Sequence, residues 1–73
     1  MRNVLLYRDE DGNWIADVPS LPGCHSDGKT RDEAIENVKE AIEVYIEALE
    51  QDDLPVPEEY IDVELIAIET MPE

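Results

Sequence analysis

The chain has 73 residues, of which 42% are hydrophobic, and a formal net charge of −15 at pH 7. This length predicts one domain spanning residues 1–73, with a small core and no separately folding second module. The acidity disfavours nucleic acid and anionic lipid as direct partners, and no apolar run is long enough to cross a membrane. A single cysteine forms no internal disulfide, which favours a reducing cytoplasm.

The first part of the chain is typical of a β-hairpin. Two short runs rich in strand-forming residues, 4–7 and 14–18, flank Asp11-Gly12, a strong signal for a tight turn. A two-residue loop would place Leu5, Tyr7, Trp14, Ala16 and Val18 on one face of the sheet, and we expect that face to lie beneath a helix. A three-residue loop would shift the register and change this assignment.

The next part predicts a short strand and a long helix. A turn through residues 19–23 leads to a third strand at residues 24–26, and Thr30 with Glu33 matches the capping box that starts a helix. We expect the helix to end near Gln51, before two prolines. Apolar residues spaced by three and four positions form its buried stripe: Ile35, Val38, Ile42, Tyr45 and Leu49.

Residues 60–69 read as a last strand, because polar and apolar residues alternate there before a continuous apolar run. The order β-β-β-α-β predicts an α+β fold, a four-stranded sheet with one helix on one face. One helix covers one face only, so Val4, Leu6 and Ile15 would remain open to water. We therefore expect a homodimer or higher homo-oligomer, formed through the uncovered face or the edge of the last strand.

Residues that could support chemistry have simpler structural interpretations. Asp9, Asp11 and Asn13 resemble the start of a calcium loop, but its bidentate glutamate is missing because position 18 is valine. Cys24 and His25 are neighbours on a strand and point to opposite faces, so they form neither a nucleophile pair nor a metal site. We expect a buried Cys24, an exposed His25, no catalytic residue, no metal and no cofactor.

The helix also carries an acidic face. Several glutamates lie opposite the apolar stripe within about a quarter turn, where like charges repel. A solvated face and a binding surface for a basic partner both explain this pattern. The glutamates are Glu36, Glu40, Glu43, Glu47 and Glu50.

Several motifs together resemble the HicB family of bacterial antitoxins. They are Gly12-x-Trp14-x-Ala16, Pro19-x-Leu21-Pro22-Gly23-Cys24-x-Ser26-x-Gly28-x-Thr30, Glu33-Ala34-x-x-Asn37 and Ala41-Ile42. The resemblance covers roughly residues 4 to 60 and implies a partial ribonuclease-H-like fold without nuclease activity. It also implies binding to HicA, a small basic toxin that cleaves mRNA, with Glu36, Glu40, Glu43 and Glu47 as candidate partner-binding residues.

Many members of this family continue into a module that binds DNA, whereas this sequence stops at Glu73, so we expect no direct contact with nucleic acid. Two other hypotheses stay open. The chain could be a stand-alone oligomeric protein of the same fold, without a toxin, that binds a small ligand or another protein. It could also be a metal-dependent nuclease, with Asp9, Asp17 and Glu64 as the carboxylates that would converge.

Overall fold

The computed structural model describes residues 2–59 and 62–70. Within these residues it has three strands and one helix, in the order β1 (Leu5–Arg8), β2 (Trp14–Asp17), β3 (His25–Gly28) and α1 (Arg31–Gln51). The strands form one antiparallel sheet in the order β1-β2-β3. The α+β class and the single helix are confirmed. None of the described helical residues forms a segment long and apolar enough to cross a membrane.

The register of the first hairpin differs from the predicted one by one residue. Leu6 pairs with Ala16 and Arg8 with Trp14, and the Asp9 amide donates to the Asn13 carbonyl at 2.9 Å. Three residues, 10–12, therefore close the hairpin instead of two. The cause lies in Asp9, whose carboxylate accepts hydrogen bonds from the backbone amides of residues 11 and 13, at 3.0 and 2.9 Å. Gly12, with a φ of 84°, completes this wider turn in the left-handed region.

The shift in register exchanges the faces of β1, because a one-residue slip turns every side chain over. Val4 and Leu6 pack against the core beneath the helix, so the prediction that they face water was wrong. Leu5 and Tyr7, predicted beneath the helix, are 37% and 48% exposed on the opposite face. The predicted positions of Ala16 and Val18 under the helix are confirmed, since both are buried.

The helix begins where the capping motif predicts. Thr30 is the N-cap, with extended backbone angles, and its hydroxyl accepts a hydrogen bond from the Glu33 amide at 3.1 Å. The Asn37 side chain donates to the Asp27 carbonyl at 2.8 Å, so it ties the helix to the end of β3. The predicted helix is therefore confirmed at both ends.

The core consists of small and medium-sized side chains between the sheet and α1. Leu21, in the turn before β3, has no exposed surface and is the largest side chain that is fully buried. The Tyr45 hydroxyl donates to the Pro22 carbonyl at 2.8 Å, which holds this turn against the helix. The buried hydrophobic cluster comprises Ala16, Val18, Leu21, Cys24 and Val38.

The segment after α1 is fixed to the start of the chain by polar contacts. The Arg2 guanidinium donates to the Ser20 hydroxyl at 3.0 Å and to the Pro57 carbonyl at 2.6 Å. The Asn3 side chain donates to the Glu59 carboxylate at 3.1 Å. The pKa of Glu59 lies below its ordinary value, chiefly because the Ser20 hydroxyl hydrogen-bonds the carboxylate; Asn3 and Arg2 act in the same direction, and partial burial acts against them.

The predicted fourth strand is not formed among the residues that the structure describes. Residues 62–70 pair with no strand and are exposed, and the first two residues of the predicted element, 60 and 61, lie outside the described residues. The sheet therefore has three strands among the described residues, and the predicted four-stranded sheet is not confirmed. The likeness to a partial ribonuclease-H-like fold stays a prediction.

The contact between β3 and α1 leaves no room for a side chain at Gly28. A Cβ atom at residue 28 would lie 2.6 Å from the Ala34 nitrogen and 2.9 Å from the Glu33 carbonyl carbon, both in the helix backbone. We expect Gly28→Ala to lower the free energy of unfolding by about 1–3 kcal/mol, as overpacking does elsewhere. Urea denaturation measures this. Asp27→Ala, an exposed position in the same strand, should change stability by less than about 0.5 kcal/mol, and equal losses would contradict the close contact.

The Glu59 contacts predict a specific pH dependence. Because the pKa of Glu59 is lowered by folding, its ionised form stabilises the fold above the ordinary value near 4.5, and this contribution is lost as the pH falls through the lowered pKa. We expect Glu59→Gln to be less stable than the parent chain at pH 7 and equally stable at the acid end of the titration. Thermal unfolding measured against pH tests this. Glu10→Gln, in the exposed hairpin loop, should show no such convergence.

Candidate functional site

The most distinctive surface of the molecule is the outward side of α1. All five glutamates predicted for it are exposed in the structure. Seen along the helix they form one continuous strip, which we call the acidic ridge: Glu36, Glu40, Glu43, Glu47 and Glu50. The four candidate binding residues thus lie together, but their binding to a partner stays a prediction.

Positive charge is concentrated in the first half of the helix. Arg31 lies 3.9 Å from the Asp32 carboxylate, and Lys39 lies 3.3 Å from the Glu36 carboxylate. From Glu40 to Gln51 the helix has four acidic residues and no basic one, and its last turn has no cation. The carboxylates of this half therefore face one another and the negative end of the helix dipole without a compensating charge in the helix.

Two open grooves flank the acidic ridge. One, of about 530 Å³, runs beside the C-terminal half of α1 and is lined by Ile42, Glu43, Ile46, Glu47, Glu50 and Gln51. The other, of about 470 Å³, lies between α1 and the edge of the sheet at β3, and its lining includes His25, Asn37, Glu40, Val44 and Tyr45. Apolar side chains thus lie next to carboxylates on both sides of the ridge, so this surface combines negative charge with apolar area.

Val44 is a candidate binding residue that the sequence analysis missed. It is 60% exposed and lies beside Glu40 in the groove next to β3. The apolar stripe was assigned from its main periodicity, and Val44 falls outside that stripe. The sequence did contain a signal for it, because Val44 is an apolar residue on the charged side of an amphipathic helix.

The residues that could support chemistry lie in separate places in the described part of the chain. Cys24 is buried, and burial raises the pKa of its thiol, so it is a poor nucleophile. His25 is exposed on β3, as predicted. The Asp9 carboxylate is engaged by backbone amides of its own turn. Nowhere in residues 2–59 and 62–70 do three metal-ligating side chains of the His, Cys, Asp or Glu type come together.

The face of the sheet opposite α1 differs from the acidic ridge in the side chains that it carries. The Tyr7 hydroxyl donates to the Asp17 carboxylate at 3.1 Å across β1 and β2. This hydrogen bond, followed by small effects of burial and of nearby negative charge, raises the pKa of Tyr7. Leu5 and Ile15 lie on the same face, so the surface combines apolar side chains with a tyrosine–carboxylate pair.

Comparison with known proteins agrees with the motifs. The family model of the HicB-like antitoxins of bacterial toxin–antitoxin systems matches residues 3–70. A UPF0150 protein of Synechocystis is 49% identical over 65 residues, which are 89% of this chain and 82% of that protein. A UPF0150 protein of Thermoplasma acidophilum is 48% identical over 54 residues, 74% of this chain and 78% of that protein.

A solved structure extends the likeness to the fold. The crystal structure of the N-terminal domain of the Burkholderia pseudomallei antitoxin HicB matches with a TM-score of 0.64 and 32% identity. The match covers 90% of this chain and 69% of that chain. With the motif-rich turn, the capped helix and the family match over residues 3–70, the chain belongs to the HicB-like antitoxin family.

Proposed function

We propose that this protein is an antitoxin that neutralises a small basic HicA-like toxin by covering the face with which the toxin cleaves mRNA. The observation that carries the proposal is the acidic ridge. From Glu40 to Gln51 the helix has four carboxylates and no basic residue. Membership of the HicB-like antitoxin family supports a toxin partner in general. The ridge supplies the chemistry that would recognise a basic one.

In this proposal the oppositely charged surfaces first attract each other, and water is then removed from between the apolar side chains of the interface. A toxin that binds RNA needs cationic side chains where the phosphates lie, and carboxylates at similar spacing occupy those positions competitively. Complementary charge raises the association rate and orients the encounter. The exposed Val44 and the apolar walls of the flanking grooves then provide apolar surface that can be buried against the partner.

The ridge glutamates have different expected contributions. Glu36 already pairs with Lys39 at 3.3 Å, so a partner must compete with an internal cation at this position. Glu43 and Glu47 line the same groove. Glu43 lies one turn from Lys39, whose ion pair is with Glu36, and Glu47 has no basic residue within one turn of the helix. We therefore expect Glu43 and Glu47 to contribute most to binding. Glu40, which lines the groove next to β3 together with Val44, should contribute less, and Glu36 should contribute least.

In this proposal the chain itself is not an enzyme, since the chemistry lies in the toxin, and it acts in the cytoplasm without a cofactor. We also propose that it acts as a homo-oligomer. Its relation to the ribonuclease-H-like fold, with nuclease activity lost, belongs to the same proposal.

The second candidate is a stand-alone oligomeric protein of this fold that binds a small ligand or another protein. The observation that favours it is the pair of open, partly apolar grooves on either side of α1, which do not require a charged partner. The two candidates differ in one simple respect. Only the first requires a short neighbouring gene for a small basic protein.

Charge reversal at the centre of the ridge tests the antitoxin proposal. We expect Glu43→Lys with Glu47→Lys to weaken binding of the basic protein encoded beside this gene by at least about 30-fold, about 2 kcal/mol, because two attractive pairs become repulsive. Titration calorimetry at moderate and at high salt measures the affinity. The loss should shrink as salt increases, since screening removes the long-range part.

The matched control changes the same number of charges away from the ridge. Glu10→Lys with Asp11→Lys alters the exposed hairpin loop, and it should leave the affinity within about threefold. Circular dichroism of both variants verifies that α1 is intact. If both pairs of substitutions weaken binding equally, only the net charge of the chain matters and the ridge is not the binding surface. If the parent chain does not bind the basic protein at all, the stand-alone alternative is favoured.

A further inference from the structure

The groove between α1 and β3 has an edge of the sheet as one of its walls. Its volume is about 470 Å³. Glu40, Ala41 and Val44 belong to its helix wall, and His25 and Ser26 belong to its sheet wall. Among the described strands, β2 is the one neighbour of β3. The other side of β3, which adjoins the groove, therefore has no strand partner in the described part of the chain.

The backbone of His25 points toward this free edge. The amide of Val18, directly after β2, donates to the Cys24 carbonyl at 3.0 Å, so the backbone of residue 24 faces β2. The Asn37 side chain donates to the Asp27 carbonyl at 2.8 Å from α1, so the backbone of residue 27 faces away from β2. These directions alternate along an antiparallel strand. The N–H and C=O groups of residue 25 therefore face the open side of the groove.

The side chain of His25 lies on the other face of the sheet. It shares that face with Asp17, its pairing partner, whose carboxylate accepts a hydrogen bond from Tyr7. His25 therefore lines the groove with its backbone, which offers one donor and one acceptor to a further strand. Strand addition to an exposed edge is a general mode of peptide recognition, in which backbone hydrogen bonds supply affinity and side-chain pockets supply specificity.

The helix wall of the groove offers two different contacts one turn apart. Glu40 and Val44 are both exposed and lie four positions apart in α1, which separates them by about 5–6 Å. Alternate side chains of an extended strand share one face and are about 6.6 Å apart. A strand in this groove can therefore place one side chain against Glu40 and the next one on the same face against Val44.

Charge favours a basic strand in the groove. Glu40 is the one Asp, Glu, Lys or Arg among the residues that line it, and it forms no ion pair within residues 2–59 and 62–70. A Lys or Arg side chain opposite Glu40 is attracted to it. An acidic strand is repelled, and residues 62–70 of another copy are acidic, with three carboxylates and no basic group. The groove therefore fits a basic partner better than a second copy of this chain.

We propose, on the basis of the antitoxin function above, that an extended segment of the basic toxin pairs with the free edge of β3. A Lys or Arg of that segment lies against Glu40, and an apolar residue two positions away lies against Val44. The pairing is short and centred on the backbone of His25, because Asn37 already occupies the carbonyl of Asp27. Glu40 belongs to both the acidic ridge and this groove, so the two contacts are continuous.

Two substitutions at residue 25 test the backbone pairing. His25→Pro removes the N–H that faces the groove and keeps the bonds to β2, since an edge strand tolerates proline where its N–H points outward. We expect it to weaken binding of the basic protein encoded beside this gene by at least about tenfold, measured by titration calorimetry. The matched control is His25→Ala, which removes the side chain and keeps the N–H, and it should leave the affinity within about threefold. Circular dichroism verifies that both variants are folded.

If a folded His25→Pro chain binds as tightly as the parent, or if His25→Ala loses as much affinity as His25→Pro, strand addition at β3 is refuted and the antitoxin proposal still stands. If the parent chain does not bind the basic protein, both proposals fail. Sedimentation without the toxin examines the other occupant: a parent chain whose self-association is lost in His25→Pro uses this edge between its own copies, which also refutes the proposal.

Amide hydrogen exchange tests the same contact without any substitution. In the complex with the basic protein, the amide of His25 should exchange at least about tenfold more slowly than in the free chain, because it gains a hydrogen bond to the added strand. The amide of Glu10, in the hairpin loop, is the control and should exchange at the same rate in both states. A complex that forms and leaves the exchange of His25 unchanged overturns the proposal, whether or not His25→Pro folds.

Discussion

The close contact of α1 with one face of a three-stranded sheet is the constraint on which the rest of the molecule depends. Gly28 leaves no room for a side chain between β3 and the first turns of the helix, and Ala34 is buried at the same point. The core beneath is built from small side chains, with Leu21 the largest that is fully buried. A chain of this length has a limited apolar core, so close packing at this contact matters for its stability.

As a result, three sides of the helix have different surroundings. Its inner stripe packs in the core, and its outer side carries the acidic ridge. A third side forms one wall of an apolar groove between α1 and β1. The carboxylates of the C-terminal half repel one another and face the negative end of the helix dipole, each pair at a cost of a few tenths of a kcal/mol. The same carboxylates give this side of the helix a strongly negative surface.

Local signals in the sequence predicted the local structure well. Thr30 and Glu33 predicted the start of α1. The expectation of a buried Cys24 next to an exposed His25 is also confirmed, although the third strand begins at His25 and not at Cys24. The helical wheel also placed the ridge glutamates together on the exposed side. These features depend on residues that are near one another in the chain.

The errors arose where a distant or unusual contact decides the outcome. The hairpin register depends on the Asp9 carboxylate, which accepts hydrogen bonds from two backbone amides of the same loop. These bonds favour a loop that is one residue longer than predicted. The fourth strand was predicted from its alternating pattern, but a pattern says what a segment can form and not which edge it pairs with. Val44 was missed because it lies outside the dominant stripe. The role of the ridge is a question about a second molecule, which no periodicity within one chain answers.

Ile42 and Glu43 line both an apolar groove between α1 and β1 and the groove beside the acidic ridge. Side chains from one stretch of the helix therefore separate an apolar surface from the carboxylates. A substitution at Ile42 or Glu43 would alter both surfaces at once, so the two surfaces can be tested separately only at positions that line one groove alone. Glu47 is such a position for the ridge, because it lines the groove beside the ridge and not the groove between α1 and β1.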